Sequence, residues 1–338
     1  MTYLEALNAS RGEMGPYCKS CPICNGNGCK NTIPGPGAKG SGTVFIKNYN
    51  AWQSISLVMD TLTANSGVDT SYNFYGHKLE LPLMAAPVGG LKLHYGNKYD
   101  DLEYARILVP ACKKAGIAAF TGDGTNNDWF KGAAEAIKEN EGYGVPTIKP
   151  WNEELIKEKM ALALAAAPLA IAMDVDAAGL PFLKNMTPPA GGKSTEELAR
   201  IVKMSNKPFI VKGIMSVKGA LKALEAGASG IVVSNHGGRV LDGTAATATV
   251  LPEIAEAVKG KMTILVDGGI RSGLDIFRAL ALGADCTLIA RPFVNMVFGG
   301  GEEGVKAYVD KLKSELEDAM NMCGAHNLSE ITRDMVRL

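Results

Sequence analysis

Three short stretches of this 338-residue chain gather side chains that could do chemistry. In SNHGGRVLDG, Ser234 to Gly243, His236 and Arg239 stand three apart with two glycines between them, just after the apolar run GIVV. An imidazole exchanges protons near neutral pH, and a guanidinium holds an anion through parallel hydrogen bonds. Further on, VDGGIRSG and LIARP supply Asp267, Gly268, Gly269, Arg271, Ala290 and Arg291. The glycine N–H groups can approach an anion closely, and the helix LDIFRALAL that follows adds positive partial charge at its N-terminus. With two arginines beside them, these loops read as a phosphate site. The third stretch, CKSCPICNGNGC, places Cys18, Cys21, Cys24 and Cys29 as C-x2-C-x2-C-x4-C. In a cytosolic chain such a cluster reads as metal-binding or redox-active before it reads as a disulfide framework. The spacing is close to that of iron–sulfur loops and offers enough thiolates for zinc. Reduced thiols packed over the body, or disulfides, are the alternatives, since four ligands in one such loop are cramped for a single metal.

These residues need a scaffold, and the rest of the sequence describes one. Short apolar runs recur at 81–88, 116–122, 145–150, 169–176, 208–214, 230–236, 263–270 and 286–292, with helix-like segments such as EYARILVPACKKAG and NEELIKEKMALALAAA between them. Nearly continuous apolar strands alternating with amphipathic helices mean a parallel sheet covered by helices. Eight such units fit a closed (β/α)8 TIM barrel, an α/β fold, better than an open sheet. Function in such barrels sits at the C-terminal ends of the strands. Those ends read AAPVGG, TGDG, IKP, DVDAAG, KGI, SNHGGR, DGGIR and ARP. Polar groups buried there must pair with one another or with a ligand. His236 and Arg239 therefore belong to a polar ring at the barrel mouth, and the phosphate loops follow the two strands this fold commonly uses for phosphate.

The first 42 residues differ from the rest: the cysteine cluster is followed by IPGPGAKGSG, which cannot be a regular helix or strand. We expect this segment to cap the barrel mouth as extended backbone. The domain reading is a Cys-rich segment and lead-in helix over residues 1–73 and the barrel with a C-terminal helix over 74–338. GVDTSYNFYGHKLELP reads as a hairpin leading in. Cys112, Cys286 and Cys323 are isolated among apolar residues and read as buried hydrophobes. Lysine plus arginine equals aspartate plus glutamate, at 35 each, so no basic excess favours nucleic acid or an anionic membrane. No apolar run reaches the length of a membrane span, and the N-terminus lacks a signal-peptide pattern, so a cytoplasmic protein is expected.

SNHGGRVLDGTAATATVLPEIAEAV followed by ILVDGGIRSGLDIFRALALGADCTLIARP closely resembles the FMN-dependent α-hydroxy acid oxidase and dehydrogenase family, which includes glycolate and lactate oxidases. PFIVKGI is similar to that family's lysine strand, and LPLMAAPVGG to the strand facing the flavin. The whole chain looks like a compact bacterial branch with a Cys-rich N-terminus. The resemblance implies oxidation of an L-2-hydroxy acid to the 2-keto acid, with a hydride equivalent passing to flavin N5 and then to oxygen or another acceptor. It implies His236 as the base, Asp176 as its orienter (Asp174, on the same strand face, is the other candidate), Arg239 as the carboxylate clamp and Lys212 at the flavin N1/C2 edge. Asp267, Gly268, Gly269, Arg271, Ala290 and Arg291 would hold the ribityl chain and phosphate. Ala86, Pro87, Val88, Thr121 and Ser234 would complete the FMN site. A homo-oligomer is implied by analogy.

The chain departs from the family in places. The N-terminal tyrosine stretch is missing, and Ile148 or Lys149, in PTIKPW, takes the place of a strand-three tyrosine. An ammonium there attracts a second anion, so Lys149 suggests a more acidic or phosphorylated substrate, unless it merely contacts flavin or Asp174. The loop AAGLPFLKNMTPPAGGKST is shorter than the family's usual lid. An iron–sulfur cluster or other metal at the four cysteines would give electrons an exit and favour a dehydrogenase over an oxidase. The other readings are a non-catalytic flavin redox sensor and an enzyme like the flavin-dependent type 2 isopentenyl-diphosphate isomerase.

Overall fold

A computed structural model describes residues 1–64, 66–187 and 189–338. Eight parallel strands close into a barrel: β1 (Leu83–Ala85), β2 (Ala118–Thr121), β3 (Val145–Ile148), β4 (Ile171–Asp174), β5 (Phe209–Ile214), β6 (Gly230–Val233), β7 (Thr263–Val266) and β8 (Cys286–Ile289). Each pairs with its sequence neighbours, and β8 pairs with β1 through Leu288↔Met84. Each falls inside one of the eight apolar runs. The runs are continuous because both strand faces are buried. Phe120, Ala172, Ile210, Val232, Leu265 and Leu288 fill the barrel's interior, while Ala119, Met173, Val211, Ile231, Ile264 and Ile289 join the layer under the helices.

The hairpin Tyr72–Phe74/His77–Leu79 plugs the bottom, with Phe74 and Leu79 packed into the interior and Tyr75 against Gly230 at the start of β6. Residues 73 and 74 both belong to its first strand, Tyr72–Phe74, so the polypeptide is continuous in structure across that point. The final helix, Arg291–Cys323, bends at Gly301 (φ 54°, ψ −135°) and packs on the outside. There it meets the N-terminal helix α1 (Tyr3–Glu13), where Tyr3 and Tyr308 stack at 5.3 Å. Gly299 is required at this crossing, because a Cβ would lie 1.9 Å from the Ala6 carbonyl oxygen.

The N-terminal segment continues over the mouth. Residues 30–42 cross it in successive turns rather than as extended backbone, because the Gly/Pro pattern breaks any strand. Helix α2 (Thr43–Gln53) then docks beside the loops after β6 and β7. Asn48 and Asn235 exchange amide hydrogen bonds of 2.7 and 2.9 Å, and Trp52 Nε1 donates to the Gly268 carbonyl at 2.8 Å. Among the described residues no helix is long and apolar enough to cross a membrane.

Candidate active site

The strand ends deliver a dense charged network. Asp174 ends β4 and is 1% exposed; it accepts from Lys149 Nζ at 2.6 Å and from Lys212 Nζ at 3.0 Å. Lys149 follows β3 and Lys212 lies within β5, so three consecutive strand ends meet at one carboxylate. Lys212 Nζ also lies 3.6 Å from Asp267, after β7. Across the loop after β6, His236 Nδ1 bonds Asp176 at 3.0 Å and lies 3.5 Å from Asp174. His236 adopts φ 55°, a left-handed turn that re-aims its ring after the strand. The flanking Gly237 and Gly238 are left-handed too, at φ 61° and 80°. The two glycines in SNHGGR are therefore a geometric requirement of the site.

Two adjacent carboxylates cannot both ionise easily, and their surroundings decide between them. Burial pushes Asp174 up, but His236, Lys149 and Lys212 around it outweigh that and hold Asp174 well below the usual carboxylate range. Burial and the neighbouring Asp174 push Asp176 well above that range. Burial also holds His236 well below its ordinary value, with Lys212, Lys149 and Arg239 adding to the effect against Asp174. The two orienter candidates thus divide the work: Asp176 makes the shorter contact to the ring, and Asp174 carries the charge beside it. Lys149 has a definite partner, because its ammonium is paired with Asp174. That carboxylate is shared with Lys212.

The arginines are held differently, by backbone carbonyls of the N-terminal segment. Arg239 Nη1 donates to Gly35 and, at 3.0 Å, to Gly37. Arg291 Nε donates to Pro36 at 2.7 Å, and Arg271 Nε to Cys24 at 2.7 Å. The Phe45 ring of α2 lies 3.8 Å from the Arg291 guanidinium and 5.6 Å from that of Arg271. The expected cap therefore forms, and it anchors all three guanidiniums.

A cleft of about 1100 Å³, its open mouth included, lies among these groups. Ala86, Pro87, Val88, Lys149, Lys212, His236, Arg239, Asp267, Gly268, Gly269, Arg271, Ala290 and Arg291 all border it. Asp176 stands behind His236. Like Asp176, two further expected residues do not border the cleft. Ser234 is sealed beneath the loop, its Oγ accepting the His236 N–H at 3.1 Å. Thr121 lines a smaller neighbouring pocket. Side chains absent from the sequence reading also border the cleft: His94, Tyr95, Trp129, Leu180 and Phe182. They lie several residues beyond their strands, on the short helices Leu91–His94 and Pro181–Lys184 or at the start of Asn127–Glu139, so a reading limited to strand ends passes over them. Pro188, in the loop after β4, lies outside the described residues.

The four N-terminal thiols are free and half-buried, and no three of them lie within 4.8 Å of one another. Tetrahedral zinc needs sulfurs about 3.8 Å apart, so that reading of Cys18, Cys21, Cys24 and Cys29 is not met. Nor is an iron–sulfur cluster or a disulfide framework supported there. The loop's visible contribution is backbone: the Cys24 carbonyl on Arg271, and Cys29 packed under Gly37. Cys112, Cys286 and Cys323 are buried as expected.

Asp267 Oδ1, on a residue that borders the cleft, is buried without a partner. Such a group costs about 1–3 kcal/mol unless a ligand satisfies it. A large planar ligand with polar edges and an anionic tail suits the combination of Lys212, the orphaned Asp267 acceptor, the glycine loop and the arginines. FMN is such a ligand.

The chain matches the FMN-dependent dehydrogenase family over residues 36–182 and 181–338. It is 32% identical over 325 residues to a peroxisomal (S)-2-hydroxyacid oxidase of Arabidopsis thaliana, covering 86% of this chain and 87% of that protein. It is 50% identical over 127 residues to an L-lactate dehydrogenase of Vibrio cholerae serotype O1, covering 38% of this chain and 34% of that one. A solved structure of a mandelate oxidase variant with (S)-mandelic acid superposes with a TM-score of 0.81 at 26% identity, covering 99% of this chain and 97% of that one. Sequence match and barrel-mouth geometry agree that this chain is an enzyme belonging to the FMN-dependent dehydrogenase family.

Proposed function

We propose that this enzyme oxidises an L-2-hydroxy monocarboxylic acid with an apolar side chain to the 2-keto acid. Bound FMN supplies the two-electron acceptor, and oxygen or another oxidant then takes the electrons. The observation that carries the substrate class is the charge count at the cleft. With their buried partners counted, six cations, Lys149, Lys159, Lys212, Arg239, Arg271 and Arg291, stand with three carboxylates, Asp123, Asp174 and Asp267, while Asp176 favours its neutral form. The surplus matches a phosphate carrying about two negative charges plus one carboxylate. It leaves nothing for a second acid group, against the more acidic substrate that Lys149 suggested in the sequence. Leu93, Trp129, Leu180, Phe182 and Leu183 provide the apolar wall.

In this reading His236 takes the substrate proton at Nε2. Its Nδ1 is occupied by Asp176, and its depressed basicity keeps the ring free to accept at neutral pH. Asp174, 3.5 Å away, stabilises the imidazolium once formed. Arg239 uses its remaining N–H groups to grip the carboxylate, since Nη1 is held by Gly35 and Gly37. Lys212 places positive charge against the flavin as it is reduced.

Anaerobic bleaching of the yellow enzyme by a panel of 2-hydroxy acids tests the proposal. L-lactate or a larger apolar L-2-hydroxy acid should bleach it, and L-malate should do so far more weakly. Bleaching by no 2-hydroxy acid, or preferentially by dianions, overturns the reading.

A further inference from the structure

Gly35 joins two groups that the sequence keeps far apart. Its carbonyl accepts from Arg239, and its N–H donates to Nδ1 of His94 at 3.0 Å. One residue of the N-terminal segment thus fixes both the arginine after β6 and an imidazole after β1. Because Nδ1 is an acceptor here, the ring proton must sit on Nε2. Among the described residues no protein group bonds Nε2, and His94, half-buried, borders the same cleft as Arg239. The ring is held at 5.9 Å from Phe182 and at 6.4 Å, edge-on, from Tyr95. A donor held this firmly at the edge of the cleft is placed to meet a ligand acceptor.

We propose that His94 is a substrate-binding residue whose neutral Nε2–H donates to the carboxylate of the hydroxy acid that Arg239 grips. The proposal rests on the 2-hydroxy acid reading above. Burial, with Arg239 and Arg291 nearby, pushes His94 down to about 3, so the ring stays neutral across the working range. A neutral donor adds direction without adding charge, which preserves the match to one carboxylate. It would also supply the neutral hydrogen bond that a phenol would give, from a different part of the chain.

The test uses FMN-loaded enzyme and two variants, His94→Phe, which removes the donor, and His94→Gln, which returns an amide N–H near the Nε2 position. The readouts are KM and kcat for the best acid of the panel, and the Kd of pyruvate, a non-reducing 2-oxo acid, from its perturbation of the flavin spectrum. His94→Phe should raise KM and the pyruvate Kd about tenfold, the scale of one hydrogen bond to a charged group, with kcat changed less than about twofold. His94→Gln should recover most of that loss. In the parent enzyme the pyruvate Kd should not follow an imidazole titration between pH 5.5 and 8. Unchanged pyruvate binding in His94→Gln and His94→Phe overturns the proposal, as does parent affinity that falls about tenfold per pH unit above 6.5, which would mean a cationic ring. Should His94→Phe fail to fold, the glutamine variant and the parent's pH dependence still decide. A parent enzyme that no hydroxy acid bleaches defeats the functional reading itself; a working parent with indifferent variants defeats only the role of His94.

Discussion

The two halves of the barrel mouth hold their charges by different means. On the side of β3 to β6, Lys149, Lys212, Asp174, Asp176 and His236 pair with one another, all from strand ends or the residues just after them. On the other side, Arg239, Arg271 and Arg291 are steadied by carbonyls of Gly35, Gly37, Cys24 and Pro36, none of which belongs to the barrel. The first half is built by the fold. The second is completed by a segment laid over it, and its geometry depends on how that segment sits. In the proposed function, proton transfer falls to the first half and anion binding to the half shared with the cap.

The contrast breaks most visibly at His236. His236→Gln should lower the rate of flavin bleaching by roughly 10²–10⁴, the usual share of a general base, while FMN stays bound. Loss of FMN instead would mean that the two halves are not separable. Next in size is Lys149→Met, which leaves Asp174 with one ammonium in place of two. Removing one partner of a buried ion pair costs about 3 kcal/mol, read by urea unfolding of the FMN-loaded protein. No loss of stability would mean that Lys149 faces the ligand rather than Asp174.

The cap half is probed by Phe45→Leu, which keeps an apolar side chain but removes the ring beside Arg291. A desolvated cation–π contact is worth about 2 kcal/mol, so FMN affinity should fall by roughly thirtyfold, measured by flavin fluorescence, with little change in pyruvate Kd for the reloaded enzyme. Equal weakening of both ligands would tie the halves together. The smallest effect is one of pH. His94 stays neutral in the fold down to about pH 3, whereas the unfolded chain takes up a proton below about 6.5. The unfolded state then binds more protons, so stability falls as pH drops below 6.5, by up to about 1.4 kcal/mol per unit from this residue. His94→Phe should lose less stability on acidification than the parent, compared by urea titrations at pH 6.5 and 5.5.

Much of the fold was legible because its signals are local. Each strand announces itself as an apolar run bounded by turn residues, and a strand buried on both faces needs nothing else. The polar ring was legible for the same reason: Lys212, His236 and Asp267 interrupt apolar runs at their C-terminal ends, where the barrel rule places function. The burial of Ser234 was less visible, since a residue that follows a strand can face the cleft or turn beneath the loop. The left-handed turn at His236 decides that.

By itself, then, the sequence determined the barrel, the side of it that carries chemistry and the inventory of charged groups there. Only the tertiary structure decided how those groups are paired. Lys149 meets Asp174 across 25 residues of sequence, Arg239 meets Gly35 across 204, and Arg291 meets Pro36 across 255. Periodicity reports which face of an element is buried but carries no information about a partner that distant. A buried charge takes its partner, and hence its protonation state, from whichever group chain closure brings within about 3 Å.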